Sequence, residues 1–277
     1  MPDILITKAN GDTEAFDVLK LEHSLRKSKA PDKLIEKVVK HVISEIRTGM
    51  TTDQIYTKAF SFLHDLEKPI ALRYSLKRTI MDLGPSGFPF EQLIARLFKK
   101  GGFTVETDKM VAGKCVDHEI DIIAYNEKKL IMIEAKFHNS IGIHSDLKVA
   151  LYIKGRLDDL RGKTFMYGKN RELDEGWLVT NTKFTTSAIK YAQCQKITLI
   201  GWNYPLHHSL QDMIEAAELH PITCLTTLTH AQKQFLISKN IIVCSELRGN
   251  EHLFDEAGFG SVDLEAVDRE IDGLYSK

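Results

Sequence analysis

Charged side chains interrupt two short apolar runs near the middle of the chain, residues 120–124 and 130–137. Both runs are rich in β-branched and apolar residues, which is typical of buried strands, and the polar stretch between them suits a hairpin. Side chains alternate between the two faces of a strand, so Glu134 and Lys136 share one face of the second run. The pattern predicts a β-hairpin that brings these two residues close to Asp121.

Charge inside a buried strand is costly unless it is paired or binds a metal. One interpretation is an ion pair between Glu134 and Lys136 at a sheet edge. The other is a divalent-metal site, because two carboxylates, Asp121 and Glu134, and the backbone carbonyl of Ala135 are the hard oxygen ligands that Mg²⁺ or Mn²⁺ prefers. In such a site Lys136 would position or activate the attacking water.

A helix is predicted directly before the hairpin, where apolar residues recur at the spacing of one helical face and Gly101 and Gly102 mark the end. Glu91 lies at the edge of this face. Its side chain is expected either to lean toward the hairpin carboxylates or to be a solvated first-turn glutamate favoured by the helix dipole. The apolar positions are Phe90, Leu93, Ile94, Leu97 and Phe98.

The region after the hairpin is predicted to continue as strand, helix and strand, at residues 176–181, 184–192 and 197–202. Across residues 84–204, the aspartate, the Glu-x-Lys and the preceding helix together resemble the PD-(D/E)xK nuclease superfamily. The later element order resembles its Mrr-like branch, which usually carries glutamine where Glu134 stands. The resemblance implies a restriction-endonuclease-like mixed sheet and metal-dependent cleavage of DNA, with RNA as the other possible substrate.

The same resemblance implies roles for individual residues. Asp121, Glu134, Lys136 and Glu91 are the expected catalytic residues, and Asp121, Glu134 and the Ala135 carbonyl are the expected metal ligands. The expected cofactor is Mg²⁺ or Mn²⁺.

The first 84 residues are predicted to form a mostly helical module that begins with a small β-hairpin. Residues 4–17 have the pattern of two strands joined at Asn10 and Gly11, a pair that strongly favours a hairpin turn. Helical periodicity follows. The predicted helices include one over residues 34–46, one capped by Thr52 or Asp53, and one from Pro69 to about Leu83.

The hairpin and helices resemble the ATP-cone, a nucleotide-sensing module. The likeness is carried by I-T-K-x-N-G at residues 6–11, F-D at 16–17, K-L at 20–21 and A-L-R-Y-S-L-K-R at 71–78. It implies ATP or dATP as a regulatory ligand, although Ala9 stands where the family has an arginine. The alternative is a retained fold that no longer binds nucleotide. The implied nucleotide contacts are Lys8, Glu14, Lys20, Thr52 and Tyr56.

The last segment, residues 207–277, is predicted to be a small helical region. It is faintly similar to helix-hairpin-helix modules, but it has no glycine-containing hairpin for contact with a phosphate. A packing or oligomerisation role is expected, and with it a homo-oligomer. The predicted division is therefore three domains, at residues 1–84, 85–206 and 207–277, in a multi-domain α/β protein.

The composition adds limits to these expectations. A net charge of −1 gives no overall attraction to nucleic acid, but residues 148–171 contain seven basic and two acidic side chains. This stretch is either a phosphate-tracking surface or a solvated helix face. The four cysteines lack a C-x-x-C spacing, and no apolar run has the length of a membrane span, so a cytoplasmic protein is expected.

Two functions remain open on the sequence. The first is a Mg²⁺-dependent endonuclease that uses nucleotide for regulation only, since no phosphate loop of the G-x-x-x-x-G-K-[ST] type is present. The second is a catalytically silent, nucleotide-responsive scaffold that binds nucleic acid or forms oligomers. The intact set of Asp121, Glu134 and Lys136 favours the first.

Overall fold

The computed structural model describes residues 4–140, 142–259 and 262–275. It is an α/β protein with helices and a hairpin at the N-terminal end, a central mixed five-stranded sheet and a C-terminal helical region. The predicted fold class is confirmed. None of the helices in these described ranges combines the length and the apolar character needed to cross a bilayer.

The N-terminal region begins with the predicted hairpin, whose two strands pair antiparallel and turn at Gly11 with a positive φ of 87°. Only glycine adopts such a φ at low cost, which is why the Asn-Gly pair predicts the turn. Five helices follow. The elements are β1 (Leu5–Thr7), β2 (Thr13–Ala15), α1 (Val18–Lys27), α2 (Asp32–Glu45), α3 (Thr52–Leu66), α4 (Lys68–Tyr74) and α5 (Leu76–Met81).

Two details of this region differ from the sequence expectation. The helix predicted from Pro69 to Leu83 is divided at Ser75, whose hydroxyl donates to the Leu72 carbonyl at 2.7 Å and so competes with regular helix bonding. The cap of α3 is Thr51, one residue before the predicted Thr52 or Asp53. Its hydroxyl accepts the Gln54 N–H at 3.1 Å in a capping box.

The central region is built on a five-stranded sheet in the order β11 (Thr198–Ile200), β9 (Glu175–Thr180), β5 (Leu130–Lys136), β4 (Asp117–Tyr125) and β3 (Thr104–Ala112). The last three strands pair antiparallel, whereas β5, β9 and β11 are parallel. The elements are α6 (Phe88–Lys100), β3 (Thr104–Ala112), β4 (Asp117–Tyr125), β5 (Leu130–Lys136), β6 (His144–Ser145), α7 (Leu147–Leu160), β7 (Thr164–Tyr167), β8 (Lys169–Glu172), β9 (Glu175–Thr180), β10 (Lys183–Phe184), α8 (Thr186–Gln195) and β11 (Thr198–Ile200).

The start of α8 is two residues later than predicted. Lys183 and Phe184 instead form a short strand that pairs with β6, and Thr185 then caps the helix by accepting the Ala188 N–H at 3.3 Å. Pairing with a distant strand decides this boundary, so helical periodicity alone could not place it.

Helices cover both faces of the sheet. The apolar face of α6 packs on one side of β4 and β5, and all five of its predicted apolar positions are buried. Helices α7 and α8 cover the other side, where α7 approaches β9 so closely that a Cβ at Gly176 would lie 2.2 Å from Leu157. The sheet is therefore enclosed, and charged side chains on β4 and β5 are held in a largely apolar setting.

The C-terminal region shares its core with α6 and the sheet, and the buried residues of α5 belong to the same core. Helices α1 to α3 surround a separate apolar core. The elements are α9 (Leu210–Ala217), α10 (His230–Ser238), α11 (Leu253–Glu256) and α12 (Leu264–Tyr275), with 3₁₀ turns at Ile222–Cys224 and Cys244–Glu246. Through α12 this region reaches α4, where Arg73 donates to the Leu274 carbonyl at 2.8 Å.

A buried carboxylate fixes the C-terminal region internally. Glu270 on α12 is almost fully buried, and its two oxygens accept the backbone N–H groups of Thr226 and Thr227 at 2.8 and 3.0 Å. The hydroxyls of both threonines donate to it as well, at 2.6 and 2.5 Å. Burial acts to raise the pKa of Glu270, but these four donors outweigh it and the pKa is lowered.

We expect Glu270→Gln to lower the free energy of unfolding by about 2–4 kcal/mol, because four donors lose a charged acceptor. A lowered folded-state pKa stabilises the protein above the unfolded pKa, and this contribution disappears as the pH falls through the folded value. The difference in the free energy of unfolding between Glu270→Gln and wild type should therefore become smaller at acidic pH. Urea titrations at pH 7 and pH 4 measure it, with the exposed Glu265→Gln as the matched control.

If Glu270→Gln and Glu265→Gln lowered the free energy of unfolding by the same amount, the buried carboxylate would not stabilise the C-terminal region.

Candidate active site

The predicted hairpin is present as β4 and β5, and the carboxylates meet where their pairing ends. The regular register runs to Ile122 opposite Ile133. One step further, the Asp121 carboxylate accepts the Ala135 N–H at 2.8 Å. The charge of Asp121 also acts on the Glu134 carboxyl group, so the two acidic side chains lie near each other at this end of the hairpin.

Strand β3, which pairs with β4, is distorted beside Asp121. Asp108 on β3 has a positive φ of 55°, and it lies opposite Asp121 in the β3–β4 register. This conformation interrupts the regular pleat. Simple alternation along β4 would place Ile120 on the same side as Ile122, which faces α6. Ile120 instead packs with Met132 on the α7 side.

Glu134 is paired with an arginine that the sequence interpretation did not identify as its partner. Arg156, on α7, donates one guanidinium nitrogen to the Glu134 carboxylate and the other to the Glu119 carbonyl at 2.6 Å. The Arg156 and Glu134 side chains are only 14% and 20% exposed. Lys136 is exposed and forms no ion pair or hydrogen bond through its side chain within the described part of the chain. A Glu134–Lys136 ion pair is therefore wrong.

Burial and mutual repulsion disturb the titration of the acidic groups. Burial and then the charge of Asp121 raise the pKa of Glu134 to about 7, although Arg156 acts in the opposite direction. Burial also raises the pKa of Asp121, partly offset by the Ala135 N–H. Carboxyl groups that repel one another in a half-buried site attract a cation.

Glu91 joins this acidic cluster rather than facing solvent alone. It lies in the first turn of α6 and is half-buried. Burial, followed by the charges of Asp121, Asp108, Glu134 and Glu119, raises its pKa to about 7. The placement agrees with the first of the two orientations that the sequence left open.

The donor set fits a hard divalent cation that retains water ligands. Two carboxylates and one backbone carbonyl, at Asp121, Glu134 and Ala135, offer only oxygen atoms, which suits Mg²⁺ or Mn²⁺. Within the described ranges, no group of three or more histidine, cysteine, aspartate or glutamate side chains is placed to hold a metal ion. Water and a substrate phosphate would therefore supply the remaining ligands.

His138 follows the strand and is held away from the carboxylates. Its ring nitrogen lies 3.2 Å from the Ser145 hydroxyl. Its backbone exchanges two hydrogen bonds with the Asn181 side chain, at 2.9 and 2.7 Å. Burial and then the charge of Lys136 lower the pKa of His138. These contacts fix the path of the chain after Lys136.

Two residues of this cluster, Asp108 and Arg156, were not predicted from the sequence. Asp108 carries no local signal, because its position opposite Asp121 depends on strand register. Arg156 lies in the basic stretch 148–171, between the buried Ile153 and Leu157 of α7. An arginine on the edge of an apolar helix face was the available signal, since such a residue is pointed toward the sheet.

The residues expected to contact nucleotide gather around a cleft beside the N-terminal hairpin. Lys8 and Lys20 are both paired with Glu14, at 2.8 and 3.2 Å. Thr52 lies in a cleft of about 510 Å³ together with Lys8. Tyr56 lines the same cleft, where its ring is stacked on Tyr74 and lies 3.5 Å from the Arg78 guanidinium.

Two family models match the chain. A restriction endonuclease model matches residues 84–203, and a model described as AF1548-like, C-terminal, matches residues 220–275. The central region is therefore restriction-endonuclease-like, as predicted. Neither model extends over residues 1–83, where the resemblance to an ATP-cone stays a prediction.

The chain is similar to one protein sequence and to two solved structures. An uncharacterized protein of Archaeoglobus fulgidus is 39% identical over 132 residues, 48% of this chain and 71% of that protein. The crystal structure of AF1548, a protein of unknown function, is 30% identical with a TM-score of 0.52, covering 68% of this chain and 95% of that one. The MspJI restriction endonuclease in complex with a 27-mer oligonucleotide is 13% identical, covering 47% and 29%, with a TM-score of 0.31.

The last of these likenesses falls below the TM-score at which a shared fold can be argued. The first two extend over more than two thirds of the matched proteins at 30% identity or more. The chain belongs to the AF1548-like family.

Proposed function

We propose that this chain is a metal-dependent endonuclease that hydrolyses phosphodiester bonds in DNA. The observation that carries the proposal is the acidic pair at the end of the β4–β5 pairing, where Asp121 binds the Ala135 N–H and acts on the charge of Glu134. Lys136, which is exposed and has no ion pair among the described residues, acts on the same carboxyl group. The match of residues 84–203 to a restriction endonuclease model supports the same reaction class. RNA is the alternative substrate.

The chain's own residues divide the work of the reaction. Asp121, Glu134 and the Ala135 carbonyl would hold Mg²⁺, which when bound acidifies water and offsets phosphate charge. Lys136 orients the attacking water and places its ammonium beside the charge that builds on the phosphate. Glu91, with a pKa near 7, is suited to exchange a proton with a water at the edge of the site.

Arg156 has a defined part in this proposal. While it is bound to Glu134 it neutralises a buried carboxylate, and a cation at Asp121 and Glu134 would take over that role. Its guanidinium would then be available to contact a phosphate oxygen in the same place.

The finer assignments belong to the same proposal. Three domains, at residues 1–84, 85–206 and 207–277, would work together in a cytoplasmic homo-oligomer. ATP or dATP, bound near Lys8, Glu14, Lys20, Thr52 and Tyr56, would regulate the nuclease without being consumed. The cleft of about 510 Å³ in the N-terminal region supports a ligand of this size.

We expect Asp121→Asn and Lys136→Met to reduce cleavage at least about 100-fold, since each removes a charge aimed at the reacting phosphate. Time courses on plasmid, linear duplex, single-stranded and branched DNA with Mg²⁺ or Mn²⁺ measure this. Lys128→Met, at an exposed lysine in the β4–β5 turn, is the matched control and should cleave as wild type does.

Cleavage that survives in both active-site variants would place the chemistry elsewhere. A complete lack of cleavage by wild type on every substrate would favour the catalytically silent scaffold.

Metal affinity should depend on pH in the neutral range. The pKa values of Glu134 and Glu91 are near 7 in the metal-free protein, so below that pH protons occupy carboxylates that a metal needs. We expect Mn²⁺ to bind about tenfold more tightly at pH 8 than at pH 6, as a one-proton exchange across pKa 7 requires. Calorimetric titration at each pH measures the Mn²⁺ affinity. In Glu134→Gln the affinity should change less with pH. An affinity that is constant with pH in wild type would contradict the assignment.

A further inference from the structure

A second cleft lies between the N-terminal region and the endonuclease-like region. Its volume is about 350 Å³, and it adjoins the larger cleft, since Lys8, Ala9, Thr52 and Lys77 line both. One wall comes from the hairpin, α3 and α5. The opposite wall comes from residues 142–144 and 182–183 of the endonuclease-like region.

The described lining of this second cleft carries a strong excess of positive charge. Four lysines line it and Glu14 is its single carboxylate. Glu14 is already engaged by Lys8 and Lys20. The other two lysines, Lys77 on α5 and Lys183 on β10, therefore have no anionic partner in this part of the chain.

Lys77 and Lys183 face one another across the boundary between the two regions. Neither side chain forms a hydrogen bond or an ion pair with any described residue. Both lysines line the same cleft, and burial and then the charge of Lys183 lower the pKa of Lys77. Unpaired like charges in a concave site are destabilising unless an anion lies between them.

We propose that Lys77 and Lys183 form a binding site for the phosphate chain of a nucleoside triphosphate, which bridges the two regions. The inference deepens the nucleotide regulation proposed above and rests on it. A free nucleotide is favoured over a DNA backbone because the cation pair lies in a cleft that adjoins the one lined by Thr52 and Tyr56, so one small ligand can occupy both. Lys8 and Lys20, the lysines expected from the sequence, share the single carboxylate of Glu14. Lys77 and Lys183 have no such anionic partner among the described residues, so we assign the principal phosphate contacts to these two.

The site has a short connection to the candidate active site. Lys183 lies two residues after Asn181, whose side chain holds the backbone of His138 through two hydrogen bonds. His138 in turn lies two residues after Lys136. A phosphate bound by Lys183 would thus contact the segment that fixes the end of the catalytic strand, and the position of Lys136 would depend on the nucleotide.

Calorimetric titration of the full chain with ATP and with inorganic tripolyphosphate tests the site. Lys77→Ala and Lys183→Ala should each weaken both ligands at least about tenfold, the expected cost of losing a charge-assisted contact to phosphate. Lys183→Arg should retain binding, and Lys190→Ala, an exposed lysine on α8, is the matched control. Thermal melts of each variant without ligand report whether its fold is intact.

Unchanged ATP affinity in Lys183→Ala would overturn the bridging site, as would the lack of ATP and tripolyphosphate binding by wild type. Weaker binding of a DNA duplex with unchanged ATP affinity in these variants would also overturn it, in favour of a DNA contact. Cleavage of DNA without nucleotide is a separate readout, so the nuclease proposal can stand or fall independently of this site.

Discussion

The cost of placing several carboxyl groups within an enclosed sheet governs the middle of this molecule. Asp121, Glu134 and Glu91 lie close together where β4 and β5 end their regular pairing. Among the described residues, the Ala135 N–H binds Asp121 and the Arg156 guanidinium binds Glu134. These are few compensating contacts for three acidic groups. A site of this kind has a built-in preference for a cation.

The sheet and the surrounding helices maintain that arrangement. Helix α6 presents Glu91 from one face and α7 presents Arg156 from the other, while close packing at Gly176 fixes the position of α7. The C-terminal region extends the same core and contacts α4 through Arg73. The N-terminal helices have their own core, and the charged cleft lies where they meet the endonuclease-like region.

Local patterns were sufficient for much of the fold. The hairpin of β4 and β5, the apolar face of α6 and the Asn-Gly turn were predicted correctly because each depends on residues close in sequence. The break at Ser75 and the short strand β10 were missed, since a side-chain hydrogen bond and a distant partner decide them. Local periodicity contains neither kind of information.

The candidate site shows the same division. The sequence indicated the acidic pair and Lys136, but not the Arg156 partner of Glu134 or the role of register in placing Asp108 opposite Asp121. These contacts join residues far apart in the chain.

In the C-terminal region, likewise, the buried thiols of two widely separated cysteines, Cys224 and Cys244, lie 3.5 Å apart.

The most direct test of the central claim is a crystal structure of the protein grown or soaked with Mn²⁺, with anomalous data collected at the manganese edge. We predict one strong anomalous peak bounded by the carboxylates of Asp121 and Glu134 and the Ala135 carbonyl, at about 2.0–2.2 Å from these oxygens. Arg156 should have moved from Glu134. Full metal occupancy elsewhere, with the Arg156–Glu134 pair intact and no peak at Asp121, would contradict the account.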